Sequence, residues 1–526
     1  MVVDASLSTL RRHFDHATLY GADGRLSEAL LNDLSTAGYW GVLIGSEFGG
    51  AGATLQHFVR LITRVAAIEP SVANLASVHG WLGAPGVLRS FGSVEQRRRW
   101  LPQLVRGERL SAFALTEPDA GSDVSALSTV ARREGDRFFL SGTKVFITNL
   151  APGRTLALVC RIENRPAMLI VDLPDDPAPG LQFVNYGLHA ARRSGNRGVT
   201  FQDFEVPTEN LIVLPKGDGL TIAYYGLNRG RMSLCAVAAG TLRRILAGLL
   251  LWVRTRRTYG KSIGERELIQ RRLGRLTSLI VGCDALSTWC ASLLDAGYRG
   301  ELECMVAKIF ASEAQKEAAI EIALKTHGGR SFLHGHPLGD SLHDLLAPCI
   351  YEGESEILSL AFFHTLSKQN REPREHVVQN KPPPESRLEL SREWQSHMSF
   401  AIDEFPRAGQ AIERMSNDSK AGGFLDGQCV AVGLARRVQH LTTIACLADY
   451  ARQQADPFTK LAGLSLADDL QREVNGRLPS GADFARQVAL GRQLLAQDWR
   501  ELAETPVDGV LHPQSISPRV SLDASH

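Results

Sequence analysis

Between Leu26 and about Leu110 the apolar residues recur at helical spacing: Leu30, Leu31 and Leu34 fall on one face, and Ser93 with Gln96 forms a capping box that opens a helix through Trp100 and Leu104. From Ser111 to about Pro207 the pattern changes. Short apolar runs, Phe138-Phe139-Leu140, Val145-Phe146-Ile147, Leu156 to Val159 and Ala167 to Val171, are separated by Gly, Pro, Asn and Asp, which predicts strands and turns. Helical periodicity returns from about Gly219 to Leu366, with long helices expected around Arg231–Arg256, Leu268–Ala296 and Glu301–Thr326, packed as a bundle. The polar stretch Arg371 to Ser386, with Pro382-Pro383-Pro384, cannot be a helix interior and reads as a linker. Beyond it Trp394, Met398, Ile402 and Phe405, then Val430, Leu434, Val438 and Leu441, then Phe484, Val488, Leu495, Trp499 and Leu502 predict further helices.

These patterns divide the chain into an α+β multidomain protein: a helical domain over 1–110, a β-domain over 111–215, a helical bundle over 216–370, a linker over 371–388, an additional helical domain over 389–505 and a tail over 506–526. The 526 residues exceed what one core serves. With 58 Lys+Arg against 57 Asp+Glu, no global field draws nucleic acid or an anionic membrane, so a small-molecule enzyme is expected. The eight cysteines are scattered without a CxxC pair, and no basic-then-apolar leader precedes the first helix. Reduced thiols and a cytoplasmic location are expected, with a peripheral membrane role for the last domain as the alternative. The longest apolar stretch, Ile245 to Val253, is too short to span a bilayer. No metal-ligand spacing is read.

Four segments carry candidate chemistry. Leu115-Thr116-Glu117-Pro118-Asp119-Ala120-Gly121-Ser122-Asp123 follows a strand and leaves amides and hydroxyls free to face a ligand. Gly142 to Asn149 is a β-run in which a period of two puts Phe146 and Thr148 on one face. Lys325-Thr326-His327-Gly328-Gly329 closes a helix on a glycine pair, and Tyr351-Glu352-Gly353-Glu354 follows about twenty residues later. Read singly, these are a loop, a strand, a C-cap and a solvated turn charge.

In this order, and separated by α, β and α regions, the four segments resemble the acyl-CoA dehydrogenase family over roughly residues 25–370. The resemblance implies a helical N-domain, a middle β-domain and a C-terminal helical bundle, with FAD between sheet and bundle and reaching a neighbouring subunit. It implies that Leu115, Thr116 and Ser122 hold the flavin and its phosphates, and that Phe146 and Thr148 stand at the flavin face. Arg256, Gln270, Gly328 and Gly329 are similar to positions that bind the partner subunit's FAD; an arginine fork suits a pyrophosphate. Asn228, Arg231 and Tyr351 are similar to substrate-side positions. Glu352 sits where most of the family keep the base that takes the α-proton, while the alternative base position of some relatives is Gly230 here. The Asn228-Arg229-Gly230-Arg231 stretch, the spacing from Tyr259-Gly260 to Gln270 and the C-terminal extension resemble the very-long-chain branch. Glu354, Lys325 and His343-Asp344 depart from the family pattern.

The implied reaction is α,β-dehydrogenation of a fatty-acyl-CoA thioester to the trans-2-enoyl thioester, by a homodimer or tetramer that passes electrons to an electron-transfer flavoprotein. A weak carbon acid yields its proton only if the developing enolate is stabilised. The resemblance assigns that role to the amide of the base residue and a ribityl hydroxyl of FAD. Alternatives are an acyl-carrier-protein thioester dehydrogenase, an acyl-CoA oxidase, or a non-catalytic flavoprotein whose last domain binds a partner.

Overall fold

The computed structural model describes residues 2–368, 390–422 and 427–496. The expected linker and tail, with Trp499 and Leu502, lie outside the described residues. Six helices open the chain: α1 (Val2–Asp15), α2 (Glu28–Thr36), α3 (Leu55–Ile68), α4 (Pro70–Ser77), α5 (Ala84–Phe91) and α6 (Val94–Val105). The capping box expected at Ser93 and Gln96 forms, and it starts α6 there. Helix α1 precedes the first periodic segment read from the sequence and buries Leu7 and Leu10.

Eight strands follow: β1 (Ser111–Ala114), β2 (Val130–Glu134), β3 (Arg137–Ile147), β4 (Thr155–Ile162), β5 (Arg165–Asp172), β6 (Leu181–Val184), β7 (Arg197–Pro207) and β8 (Leu211–Ile212). Their order is β6-β7-β3-β2-β4-β5-β8, with β1 parallel to β4 off this path. The long antiparallel pair β3–β7 runs from Arg137 opposite Pro207 to Ile147 opposite Arg197, and its register breaks between Lys144 and Ile147. That irregularity re-aims the end of β3.

The bundle is α7 (Gly219–Thr255), α8 (Glu267–Asp295), α9 (Glu301–Glu317), then a π turn (Ala318–Leu324) leading into α10 (Lys325–His327), α11 (Pro337–Leu346) and α12 (Ser355–Lys368). Helix α7 begins twelve residues before the expected Arg231 because Asp218 caps it: the Thr221 amide donates to Asp218 Oδ1 at 3.0 Å and Thr221 Oγ1 accepts from the Asp218 amide at 3.2 Å. By length and composition α7 and α8 could cross a bilayer; 78% of each apolar window is buried inside the protein, as in core helices of a bundle.

The last unit is α13 (Arg392–Gly422), α14 (Gln428–Gln453), α15 (Pro457–Val474) and α16 (Gly481–Ala496). It shares one apolar core with the first helices and the bundle. Helices α16 and α8 cross backbone to backbone. A Cβ on Gly274 would stand 1.9 Å from the Gln487 carbonyl oxygen, and one on Gly491 1.9 Å from that of Gln270. Only glycine fits at either position.

Candidate active site

Glu352 lies between the turn Ala347–Cys349 and α12, on a backbone with φ +57°, followed by Gly353 at φ +108°. A positive φ at a glutamate costs energy and persists only where neighbours impose it. Two cations impose it here. Arg231 of α7 donates Nε to the Glu352 carbonyl at 3.1 Å and Nη1 to Asn228 Oδ1 at 3.2 Å, and Lys308 of α9 donates Nζ to the Gly353 carbonyl. Lys308 is fully buried.

The carboxylate receives none of these donors. Glu352 Oε2 is out of solvent with no partner, and a Cβ on Gly230 would stand 3.0 and 3.1 Å from its two oxygens. Burial pushes the Glu352 carboxyl up to about 7, against the pull of Arg231 and Lys308. Burial likewise brings the Lys308 ammonium down to about 8. Tyr351, beside Glu352, is exposed. Thus Asn228, Gly230, Arg231 and Glu352, 121 residues apart between the last two, form one cluster. The sequence reading missed Lys308. Its position in an amphipathic helix marks a core site, and its charge at that site was the available signal.

The second cluster supports the loop after β1. Leu115 is buried in a core shared with Ile222, Ala223 and Leu227 of α7, so the loop abuts the helix that carries Arg231. Under it Glu117 and Lys144, both fully buried, pair at 2.8 Å. Lys144 Nζ also donates to the Leu115 carbonyl at 2.8 Å, while Glu117 accepts from the Ser128 amide at 2.6 Å, Ser128 Oγ at 2.7 Å and the Thr129 amide at 3.1 Å. Burial alone would raise Glu117, but Lys144 and these donors carry it down to about 2. Both residues stand inside the two segments singled out in the sequence, 27 positions apart, and neither was read as chemistry.

The Thr116 carbonyl accepts the Val145 amide at 2.9 Å, which ties the loop to β3. Ser122 is exposed at the loop tip. Phe146 is 56% exposed with φ +59°, its ring centre 5.4 Å from that of Tyr186, whose hydroxyl accepts the Phe146 amide. Thr148 is half-buried and accepts from Asn196 Nδ2 at 3.2 Å. The simple alternation expected of Phe146 and Thr148 does not hold. The register break and the left-handed backbone at Phe146 interrupt the strand before Thr148.

A third feature is a 530 Å³ hollow lined by Trp252, Arg256, Arg266, Arg272, Lys325, His327, Gly328, Gly329 and Arg330, among others, with five cations and no carboxylate in its lining. A Cβ at Gly328 or Gly329 would meet nothing within 4 Å, so backbone is open to a ligand there. Arg330 Nε and Nη1 are out of solvent without partners. Such a donor set suits a pyrophosphate, and it brings Arg256 together with the glycine pair. Gln270 is held elsewhere. Its Nε2 donates to the Gly264 carbonyl at 3.1 Å and its Oε1 accepts Arg492 Nε of α16 at 2.9 Å, beside a separate 330 Å³ hollow that includes Arg254 and Ser262. Of the departures, Lys325 pairs with Glu321 at 2.5 Å, Glu354 Oε2 caps the Glu356 and Ile357 amides, and Asp344 accepts the Ala191 amide at 2.6 Å while His343 stacks on His189. Among the described residues no group of three His, Cys, Asp or Glu could hold a metal ion.

Family models described as acyl-CoA dehydrogenase N-terminal, middle and C-terminal domains match residues 3–108, 112–205 and 217–362. An acyl-CoA dehydrogenase of Bacillus subtilis (strain 168) is 31% identical over 337 residues, 63% of this chain and 87% of that one. The mitochondrial very long-chain specific acyl-CoA dehydrogenase of Mus musculus is 28% identical over 64% of this chain, which spans about half of that protein, 52% of its length. Among solved structures, an acyl-CoA dehydrogenase complexed with FAD from Bacillus anthracis superposes with a TM-score of 0.74 over 94% of both chains at 20% identity, a likeness of fold that includes the last helical unit. A glutaryl-CoA dehydrogenase from Mycobacterium smegmatis superposes at 0.63 over 70% of this chain and 94% of its own, with 25% identity.

Proposed function

The chain belongs to the acyl-CoA dehydrogenase family of FAD-dependent enzymes, and from that premise we propose that it converts an acyl-CoA thioester to the trans-2-enoyl thioester with Glu352 as the base. One observation carries the assignment. Glu352 presents an oxygen that is shielded from water and lacks a donor, with burial pushing its carboxyl up to about 7. A base poised near working pH transfers protons best.

Arg231 and Lys308 hold the carbonyls of Glu352 and Gly353 and leave the carboxylate free, so the cations orient the base without quenching it. Gly230, having no side chain, lets the Glu352 carboxylate lie directly against α7, where a Cβ would stand 3.0 and 3.1 Å from its two oxygens. FAD, when bound, supplies the acceptor for the hydride that leaves the β-carbon. We assign its isoalloxazine to Leu115, Thr116, Phe146 and Thr148, with Ser122 at the loop tip, and the pyrophosphate of a neighbouring subunit's FAD to Arg256, Gly328, Gly329 and Arg330. Gln270, committed to Arg492, would reach that FAD only by releasing it. The shared site makes the protein at least a dimer: Arg256→Ala is expected to weaken FAD retention and self-association together, and a monomer that retains FAD would refute the sharing.

The test of the base is Glu352→Gln. The variant is expected to keep FAD and bind acyl-CoA yet fail to bleach the flavin anaerobically, losing at least ~10²–10⁴-fold in rate. Bleaching at near the parent rate would assign the proton to another group. An electron-transfer flavoprotein is the proposed acceptor. Turnover that proceeds equally well with oxygen would replace it with an oxidase reading.

A further inference from the structure

Among the described residues, the guanidinium groups of Arg229 and Arg89 form no ion pair with a carboxylate. Arg229 of α7 is 8% exposed; its Nη1 donates to the Tyr225 carbonyl one turn back at 3.2 Å, and its Nε is out of solvent without a partner. Arg89 of α5 is half-buried and donates Nη1 to the Leu43 carbonyl at 2.8 Å. They enclose the buried ring of Trp81, with guanidinium carbons 4.5 Å (Arg89) and 5.7 Å (Arg229) from its centre, and Arg229 also lies 3.5 Å from the centre of the Tyr225 ring. The neighbours that act most on Arg229 are Tyr225, Cys304 and Arg89, and the carboxylate that acts on Arg89, Asp295, gives its two oxygens to the Leu55 and Gln56 amides at the start of α3. Burial lowers the affinity of both groups for their protons.

A buried cation with no anion is costly, and stacking on aromatic faces offsets only part of that cost. Such groups persist where a ligand completes them. The location fits a ligand. Arg229 immediately precedes Gly230, against which the Glu352 carboxylate lies, and Gly226, one turn earlier on the same face, packs against the Trp81 carbonyl, 3.1 Å from where its Cβ would be. Trp81, against whose ring both arginines lie, therefore meets α7 about one helical turn before the glycine that faces the base.

We propose that Arg229, assisted by Arg89, receives a carboxylate carried on the acyl portion of the substrate, so that the enzyme prefers thioesters of dicarboxylic acids over those of plain fatty acids. The inference rests on the reading of Glu352 as the base, because that reading places the acyl chain beside Gly230. A guanidinium fork binds a carboxylate bidentately, which fixes chain length as well as charge. CoA phosphates are the other anions the ligand offers, but they need a solvent-facing site and Arg229 is interior.

Binding is measured on the FAD-loaded Glu352→Gln enzyme by perturbation of the flavin spectrum, so that selectivity is read without turnover and independently of which group is the base. The probes are mono-CoA thioesters of dicarboxylic acids of graded length, their ω-methyl esters, plain acyl-CoAs, and the dephospho-CoA forms. At the best length the free carboxylate is expected to bind at least tenfold tighter than its methyl ester. Arg229→Gln is expected to abolish that ratio and Arg229→Lys to restore part of it. Arg89→Gln is expected to reduce it, and it provides the same reading should Arg229→Gln fail to fold. Equal binding of acid and ester at every length overturns the proposal, as does a ratio that Arg229→Gln leaves intact or an Arg229 effect that follows the 3′-phosphate of CoA.

Discussion

Glu117 and Glu352 are both carboxylates withdrawn from water close to cations, yet their affinities for protons move in opposite directions: Glu117 falls to about 2 and Glu352 rises to about 7. The difference lies in where the donors point. At Glu117 the ammonium of Lys144, two amides and a hydroxyl all converge on the carboxylate oxygens. At Glu352 both cations spend their nearest hydrogen bonds on backbone carbonyls, and Oε2 is left bare. Nearby charge is thus insufficient to stabilise an anion in the interior; direct donation does it. One glutamate is part of the frame, and the other keeps a bare oxygen, as the proposed base requires.

The sharpest way to break this comparison is to exchange each carboxylate for its amide. Glu352→Gln is expected to remove several decades of flavin reduction while leaving the melting temperature near that of the parent. Glu117→Gln is expected to do the reverse at first order: leaving Lys144 buried without its anion costs ~3–5 kcal/mol, read as a lower denaturant midpoint, with FAD lost as the loop loosens. Pairing Glu117→Gln with Lys144→Met is expected to recover part of that loss, and a fully additive double variant would show that the pair is not coupled.

A third, smaller effect is expected at Lys308. Lys308→Met removes a cation that pulls Glu352 down, so the acid limb of the rate of flavin reduction moves upward from about 7, by about one pH unit. A limb that stays in place would limit Lys308 to holding the loop. The two glutamates also impose opposite pH dependences on stability. Glu352 binds its proton more tightly folded than unfolded, so its contribution is present below its ordinary 4.5 and is lost as pH rises towards about 7. Glu117 binds its proton more weakly when folded, so its contribution is present above 4.5 and is lost as pH falls towards about 2. Unfolding titrations of Glu352→Gln and Glu117→Gln against the parent are expected to differ in these two windows. The smallest change is Gly230→Ala: its methyl would crowd the Glu352 oxygens at 3.0–3.1 Å, and a few-fold slower flavin reduction with unchanged FAD content is expected.

The order of helical, β and helical regions was legible in the hydrophobic periodicity, because each period is a property of neighbours in the chain. The helices of the last unit were legible for the same reason, although the pattern alone said nothing of where they dock. As a candidate base, Glu352 could be singled out only through resemblance, since spacing gives a turn glutamate no distinction. Its surroundings were not. Lys308 lies 45 residues from the carbonyl it holds, and Lys144 27 residues from Glu117, so both clusters exist only after strands and helices are laid side by side. Phe146 shows another limit: a bulge is a local failure of period two, which the alternation rule cannot anticipate. Gln270 shows a third, because the residue that claims its side chain comes from α16, 222 positions away.

The crossing of α8 and α16 at Gly274 and Gly491 has a thermodynamic corollary. The N-cap Arg266 and the first turns of α8, with Ile269 and Arg272, stand on the wall of the basic hollow, and the same turns press Gln270 and Gly274 against α16. One stiff rod therefore reports to two sites. Whatever free energy a docked C-terminal unit lends to an anion in that hollow, the anion must return in equal measure to the docking, since linkage between two equilibria is reciprocal.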